Sequence, residues 1–142
     1  MTHQEKRAWI MLVVSAVAYA VYVTVVLSRV DDGRLTSTPY AAALLWTIGG
    51  AIAASIVVEI AMGVANPRAS RVSDDRDREI GRLGDHVGQA FVGIGAVSAM
   101  LMALAQWHWF WIANVIYLCF VLSAVIGSLA KVIVYRRGVP QW

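Results

Sequence analysis

Residues 8–27 read AWIMLVVSAVAYAVYVTVVL, a stretch of twenty residues without Asp, Glu, Lys, Arg or His. A transmembrane helix needs about 20 consecutive, mostly apolar residues to cross a hydrocarbon core of about 30 Å. The stretch also lacks the alternation of apolar and polar residues that marks the strands of a membrane barrel. It therefore predicts a membrane-spanning α-helix.

Three later stretches fit the same description. Residues 41–64 contain one charge, Glu59; residues 87–106 contain none; and residues 110–134 contain only Lys131. Hydrophobic residues make up 59% of the chain and charged residues 15%, whereas a soluble domain has about 25% charged residues. A chain this short cannot bury so much apolar surface in a core of its own. We therefore expect a single all-α domain over residues 1–142, a polytopic membrane protein built as an antiparallel bundle of four transmembrane helices.

A secretory signal peptide is the alternative interpretation of the first stretch. Lys6 and Arg7 precede it, and small residues occur at Ala18 and Ala20. Its apolar run is longer than the roughly 7–15 residues of a signal sequence and continues beyond those alanines. This length favours a helix that is retained in the protein.

The basic residues predict the orientation of the four spans. Cytoplasmic loops of membrane proteins carry an excess of Lys and Arg. If the chain alternates, one side receives only Arg29 and Arg34. The other side receives ten bases: Lys6, Arg7, Arg68, Arg71, Arg76, Arg78, Arg82, Lys131, Arg136 and Arg137. We expect a multi-pass protein of a prokaryotic plasma membrane, with both termini and the charged loop 65–86 in the cytoplasm. Because the bases flank apolar segments, direct binding of nucleic acid is not expected.

Tryptophan is concentrated in the short connection between the third and fourth spans. Trp107, Trp109 and Trp111 lie within six residues of one another, and tryptophan rings favour the headgroup level of a bilayer. We interpret them as interface aromatics that mark the outer boundary of the membrane. A binding platform for a carbohydrate or quinone is the functional alternative.

Small residues recur at four-residue spacing, which permits close packing of membrane helices. Gly49 and Gly50 precede Ala53 and Ala54 in the second span, and the third and fourth spans show the same pattern. Such spacing suits packing within one chain or between copies. The sequence does not separate the two.

Glu59 is the first candidate for a functional residue, because an ionisable side chain within a span is costly. Its depth is similar to that of Lys131 in the fourth span, so we predict that the two side chains pair near the cytoplasmic boundary. Ser55 lies one helical turn from Glu59. The structural interpretation is a clamp or an extension of the side chains toward the headgroups; the functional interpretation is a proton or cation site.

Asn114 and Tyr117 are the other polar candidates within a span. They lie three residues apart in the outer half of the fourth span, where side-chain hydrogen bonds to another helix stabilise a bundle by about 1 kcal/mol. Cys119 is the only cysteine, so an internal disulfide is impossible. The sequence shows no metal-ligand cluster, phosphate-binding loop or nucleophile–base grouping, and we expect no metal, no cofactor and no enzymatic activity.

The loop 65–86 contains the most distinctive polar sequence. Ser73 is suited to cap a helix, and acidic residues after it favour the first turn. Pairing of Asp74 with Arg78 and of Glu79 with Arg82 would stabilise this helix, which we expect to run directly into the third span. The alternatives for its charges are a solvated helix start that meets anionic lipid and a docking surface for a cytoplasmic protein. The surface residues of this prediction are Asp74, Asp75, Arg76, Asp77, Arg78 and Arg82.

Three short segments resemble a known family. They are Asp74-Asp75-Arg76-Asp77 before the third span, Phe110-Trp111-Ile112-Ala113-Asn114 at the start of the fourth, and Tyr135-Arg136-Arg137-Gly138 at its end. The family is an uncharacterised one, a domain of unknown function found in small membrane proteins of bacteria and archaea. Asp75 stands where the family pattern has Glu. The resemblance implies four helices and no defined activity, and the proximity of some members' genes to those of helix-turn-helix regulators suggests signalling.

Two functions fit this sequence. The first is a non-enzymatic accessory or regulatory subunit that associates with itself or with a larger membrane complex and uses its cytoplasmic loop. The alternative is a small oligomeric transporter or channel in which Glu59 couples or selects ions. Small multidrug transporters also have four spans, but their essential acid lies in the first helix, where this chain has none.

Overall fold

The computed structural model describes residues 3–30, 39–65 and 75–138, which form four α-helices. The helices are α1 (His3–Ser28), α2 (Ala41–Ala65), α3 (Asp75–Leu104) and α4 (Trp109–Arg137). Each is long and apolar enough to cross a membrane. The prediction of an all-α protein with four such helices is confirmed.

Helix α3 begins well before the third apolar stretch, as the charges of the loop predicted. Asp75 and Asp77 lie in its first turn, where carboxylates interact favourably with the helix dipole. The predicted cap Ser73 and the predicted partner Asp74 lie outside the described residues. The second half of the charged loop is therefore a helical extension of the third span.

The connection between α3 and α4 is short and well defined. Gln106 has a φ of 58°, its N–H donates to the carbonyl of Ala103 at 3.0 Å, and the N–H of Trp107 donates to that of Met102 at 3.0 Å. These two bonds form a Schellman motif that ends α3. His108 then begins α4, since its Nδ1 accepts a hydrogen bond from the Phe110 N–H at 3.1 Å. Four residues thus suffice to connect the two helices.

The helices pack in the neighbour order α2–α1–α4–α3. The most extensive contacts join α3 with α4, followed by those of α1 with α4 and of α1 with α2. Helices α2 and α3 follow each other in the chain but lie at the two ends of this order. The central pair, α1 and α4, therefore connects them.

An aromatic cluster joins three of the helices. Tyr22 of α1, which is only 1% exposed, lies with its ring 4.8 Å from that of Tyr117 in an edge-to-face arrangement. Ala43 of α2 and Phe110 of α4 belong to the same buried cluster. Edge-to-face aromatic pairs add about 0.5–1.5 kcal/mol beyond the area that they bury. This cluster holds α1, α2 and α4 together.

Glycines allow α3 and α4 to approach closely. A Cβ atom added to Gly127 would lie 2.9 Å from the carbonyl oxygen of Gly84, and one added to Gly95 would lie 2.5 Å from the Cβ of Cys119. In contrast, Gly49 and Gly50 of α2 have nothing within 4 Å of an added Cβ. Gly84, Gly95 and Gly127 thus serve packing within the chain, whereas Gly49 and Gly50 do not.

Candidate functional site: a cluster of charges contributed by all four helices

Four charged side chains, one from each helix, line a single cavity of about 410 Å³. They are Arg7 of α1, Glu59 of α2, Asp85 of α3 and Lys131 of α4. We call this region the charged end of the helices. Ser55, which was predicted to accompany Glu59, lines the same cavity.

Glu59 pairs with Arg7. The Nε of Arg7 donates to Glu59 Oε1 at 3.1 Å, and its Nη2 contacts the same oxygen. The side chains are 44% and 53% exposed, respectively. A pair as exposed as this one contributes about 0.2–1 kcal/mol in a soluble protein.

The predicted pair of Glu59 with Lys131 is wrong. Lys131 instead donates from Nζ to Asp85 Oδ1 at 2.8 Å. Glu59 and Lys131 do lie at a similar depth, since both line the same cavity. The order in which the helices pack determines which residue each of them pairs with. Helix α2 packs on α1, which offers Arg7, and α4 packs on α3, which offers Asp85.

Further polar contacts at the charged end tie the helix termini together. Arg136 Nε lies 3.5 Å from Glu5 Oε1, and its guanidinium lies 5.7 Å from the ring centre of Trp9. Tyr135 Oη donates to Asp77 Oδ1 at 2.8 Å. The start of α1, the start of α3 and the end of α4 therefore form one connected surface.

The arginines of the predicted interaction surface are exposed on the first turns of α3. Arg76, Arg78 and Arg82 are all exposed, and Arg78 lies 3.8 Å from the carboxylate of Asp75. Asp77, by contrast, bonds to Tyr135 and fixes the orientation of α3. Of this predicted set, Asp74 lies outside the described residues.

Asn114 and Tyr117 bond to other helices, as predicted. Tyr22 Oη donates to Asn114 Oδ1 at 2.6 Å, and Tyr117 Oη donates to Thr47 Oγ1 at 3.0 Å. Asn114 also donates from Nδ2 to the carbonyl oxygen of Phe110 at 2.7 Å. This network belongs to the buried aromatic cluster and lies on α4 well away from Lys131. We interpret it as structural.

The three tryptophans near the α3–α4 connection are exposed. Trp107, Trp109 and Trp111 are 56%, 70% and 39% exposed. They lie at the opposite end of α4 from Lys131. We still predict that the three tryptophans lie at the membrane–water interface, because each ring is exposed and free to contact lipid headgroups.

Sequence reasoning missed Arg7, Asp85, Tyr22 and Thr47 as partners. Arg7 and Asp85 lie just before the first and third apolar stretches, where their charges pair with Glu59 and Lys131. Tyr19 and Tyr22 are spaced three apart on α1, a pattern that would have indicated a polar aromatic face. The sequence contains these residues, but their pairing can be predicted only when it is known which helices are neighbours.

The charges of this site pair rather than converge on one point. Within residues 3–30, 39–65 and 75–138, no three His, Cys, Asp or Glu side chains are grouped so that they could hold a metal ion. The arrangement is suited to binding a partner or ligand that carries charges of its own. Comparisons with protein-family models, curated proteins and solved structures found no match.

The exchange of charges between Arg7 and Glu59 provides a first prediction. We expect Glu59→Arg to lower the free energy of unfolding, because it faces Arg7 with a second cation, and Arg7→Glu to restore part of the loss. The coupling energy should be about 0.2–1 kcal/mol, the usual range for exposed pairs. Unfolding in mixed micelles of rising SDS content measures it.

The same double-mutant comparison with Lys131→Glu in place of Arg7→Glu serves as the control. The coupling energy between Glu59→Arg and Lys131→Glu should be smaller than that between Glu59→Arg and Arg7→Glu. A larger value would mean that Glu59 interacts mainly with Lys131, against the observed geometry.

Proposed function

We propose that the chain is a multi-pass protein of a prokaryotic plasma membrane, with four antiparallel spans and both termini in the cytoplasm. Four helices that are long and apolar enough to span support the insertion. The ten Lys and Arg residues that alternation of the spans places on one side, against two on the other, support the orientation. We also propose that it belongs with the uncharacterised family that its second half resembles.

We propose further that the protein is a non-enzymatic accessory or regulatory subunit that acts through its cytoplasmic face. The observation that carries this proposal is the start of α3, a helix that presents Arg76, Arg78 and Arg82 to solvent. The bond between Asp77 and Tyr135 anchors this helix to α4. A fixed helix with exposed charges is suited to docking, because little freedom is lost when a partner binds.

Self-association forms part of the proposal. Gly49 and Gly50 contact nothing from another helix within 4 Å of an added Cβ, and the neighbouring Trp46 is 81% exposed. Membrane helices associate through small residues that allow close approach. The outer face of α2 is therefore the surface that we assign to a second copy or to another membrane subunit.

A transporter or channel is the second candidate. The cavity of about 410 Å³ beside Glu59 supports it, because an ion or small solute could reach the carboxylate. The pairing of Glu59 with Arg7 supports the first candidate instead, since the carboxylate already has a counter-charge.

Purification from native membranes in mild detergent tests the regulatory function. We expect a cytoplasmic protein to co-purify with the wild-type chain and to be lost from Arg76→Ala/Arg78→Ala/Arg82→Ala. The control is Arg29→Ala, which removes an exposed base far from this surface. Proton-linked flux in vesicles that Glu59→Gln abolishes would favour the transporter over the regulatory subunit.

A reporter fused behind Trp142 tests the orientation separately. A phosphatase that is active only outside the cytoplasm should stay inactive, and a fluorescent protein that folds in the cytoplasm should be bright. The reverse pattern would contradict the proposed orientation.

A further inference from the structure

The cavity at the charged end continues into a second, apolar cavity. This second space has a volume of about 580 Å³ and lies among α1, α2 and α4. Met11, Ser55 and Glu59 line both cavities, so the two spaces adjoin. Together they form a crevice that is charged at one end and apolar along its length.

The apolar part of the crevice is about one leaflet deep. On α2 its lining extends from Ile48 to Glu59, twelve residues over which a helix rises about 16 Å. Half of a hydrocarbon core is about 15 Å. Val14 and Phe120 are among the apolar side chains that line this length from α1 and α4.

The charged part offers two positive and two negative groups. Arg7 and Lys131 are 44% and 28% exposed, while Glu59 and Asp85 are 53% and 68% exposed, so a ligand can reach all four. A ligand with a single charge would pair with one of these four groups and leave that group's former partner without a counter-charge. A zwitterionic ligand carries both signs, so all four side chains keep a counter-charge when it binds.

We propose that the crevice binds one zwitterionic phospholipid with a primary ammonium group, a phosphatidylethanolamine. An acyl chain lies in the apolar part, Arg7 and Lys131 bind the phosphate, and Glu59 and Asp85 accept hydrogen bonds from the ammonium. The guanidinium group of Arg and the ammonium group of Lys are the side-chain groups that bind phosphate best. Their hydrogen bonds to phosphate are charge-assisted and therefore stronger than hydrogen bonds between neutral groups. The site goes beyond the regulatory function and requires only the proposed insertion into a membrane.

Headgroup selectivity is the first test and needs no variant. The full-length protein is purified in a delipidating detergent and titrated with palmitoyl-oleoyl phosphatidylethanolamine or with the phosphatidylglycerol of the same chains. Native mass spectrometry counts the bound lipid. We expect one phosphatidylethanolamine per chain and roughly tenfold weaker binding of phosphatidylglycerol, which corresponds to about 1.4 kcal/mol. Equal binding of both lipids, or preference for the anionic one, would overturn the proposal.

Variants then locate the site. Ala51 lines the crevice, whereas Ala90 of α3 is exposed and is not among the residues that line either cavity. Ala51→Phe should lower the affinity for phosphatidylethanolamine roughly tenfold, whereas Ala90→Phe should leave it unchanged. Loss of binding in both variants, or in neither, would contradict a site in this crevice.

Glu59→Gln adds a readout that a merely structural effect would not change. Removal of one carboxylate leaves a surplus of positive charge, so the preference should shift from phosphatidylethanolamine toward phosphatidylglycerol. Arg7→Gln should shift it in the opposite direction. An equal decrease for both lipids would mean that these side chains support the fold and not the headgroup. The assay uses no protein partner, so its outcome is independent of the test of the regulatory function.

Discussion

Replacement of Tyr22 by alanine is expected to lower the free energy of unfolding by about 3–5 kcal/mol, the usual cost of removing a large buried aromatic ring. Tyr22 is 1% exposed, its ring packs against those of Tyr19 and Tyr117, and its hydroxyl bonds to Asn114. The substitution opens a cavity where α1 meets α4. Unfolding in mixed micelles of rising SDS content, followed by circular dichroism, measures the loss.

Two companion variants separate packing from hydrogen bonding. Tyr22→Phe keeps the ring and removes only the donor to Asn114, so we expect a loss of about 0.6 kcal/mol, the average for such bonds between membrane helices, and no more than about 1.7 kcal/mol. Val21→Ala alters the adjacent residue, which is 48% exposed, and should change stability little. If Tyr22→Ala cost no more than Val21→Ala, the aromatic cluster would not be the core of the protein.

The second large effect is expected at the contact between α3 and α4. Alanine at Gly127 would bring a Cβ to 2.9 Å from the carbonyl oxygen of Gly84, a backbone atom that moves only if the helices separate. We expect Gly127→Ala to destabilise the protein by about 1–3 kcal/mol, as overpacking usually does. The same SDS titration measures this change.

Gly93→Ala is the matched control, because nothing lies within 4 Å of a Cβ added at that position. Alanine favours a helix over glycine by about 0.5–1 kcal/mol, so this variant should be more stable than the wild type. The two substitutions are chemically identical and should change stability in opposite directions. Stabilisation by both would show that α3 and α4 do not approach as closely as the structure indicates.

The four helices could be predicted from their long apolar stretches, because the length and composition of a stretch are read directly from consecutive residues. The start of α3 was also predictable, since Asp75 and Asp77 favour a first helical turn. Orientation in the membrane and self-association stay predictions, as they depend on lipid and on other molecules.

The partners of the charged residues were harder to predict than their depth. Glu59 and Lys131 were expected at one level and do line one cavity, yet each pairs with a different residue. Depth follows from counting residues along a helix, whereas the choice of partner depends on which helices pack side by side. For Asn114 and Tyr117 the expectation was only a hydrogen bond to another helix, without a named partner, and such bonds are present.

The position of α3 in the neighbour order bears on how the protein is assembled. During synthesis α3 emerges before α4, yet α4 is the helix with which it makes its extensive contacts. The third helix therefore has no close companion until the last one has been made, and the aromatic cluster that includes Phe110 and Tyr117 is equally incomplete until then. Because α4 is the last helix to be made and packs on both α1 and α3, its contacts complete the structure.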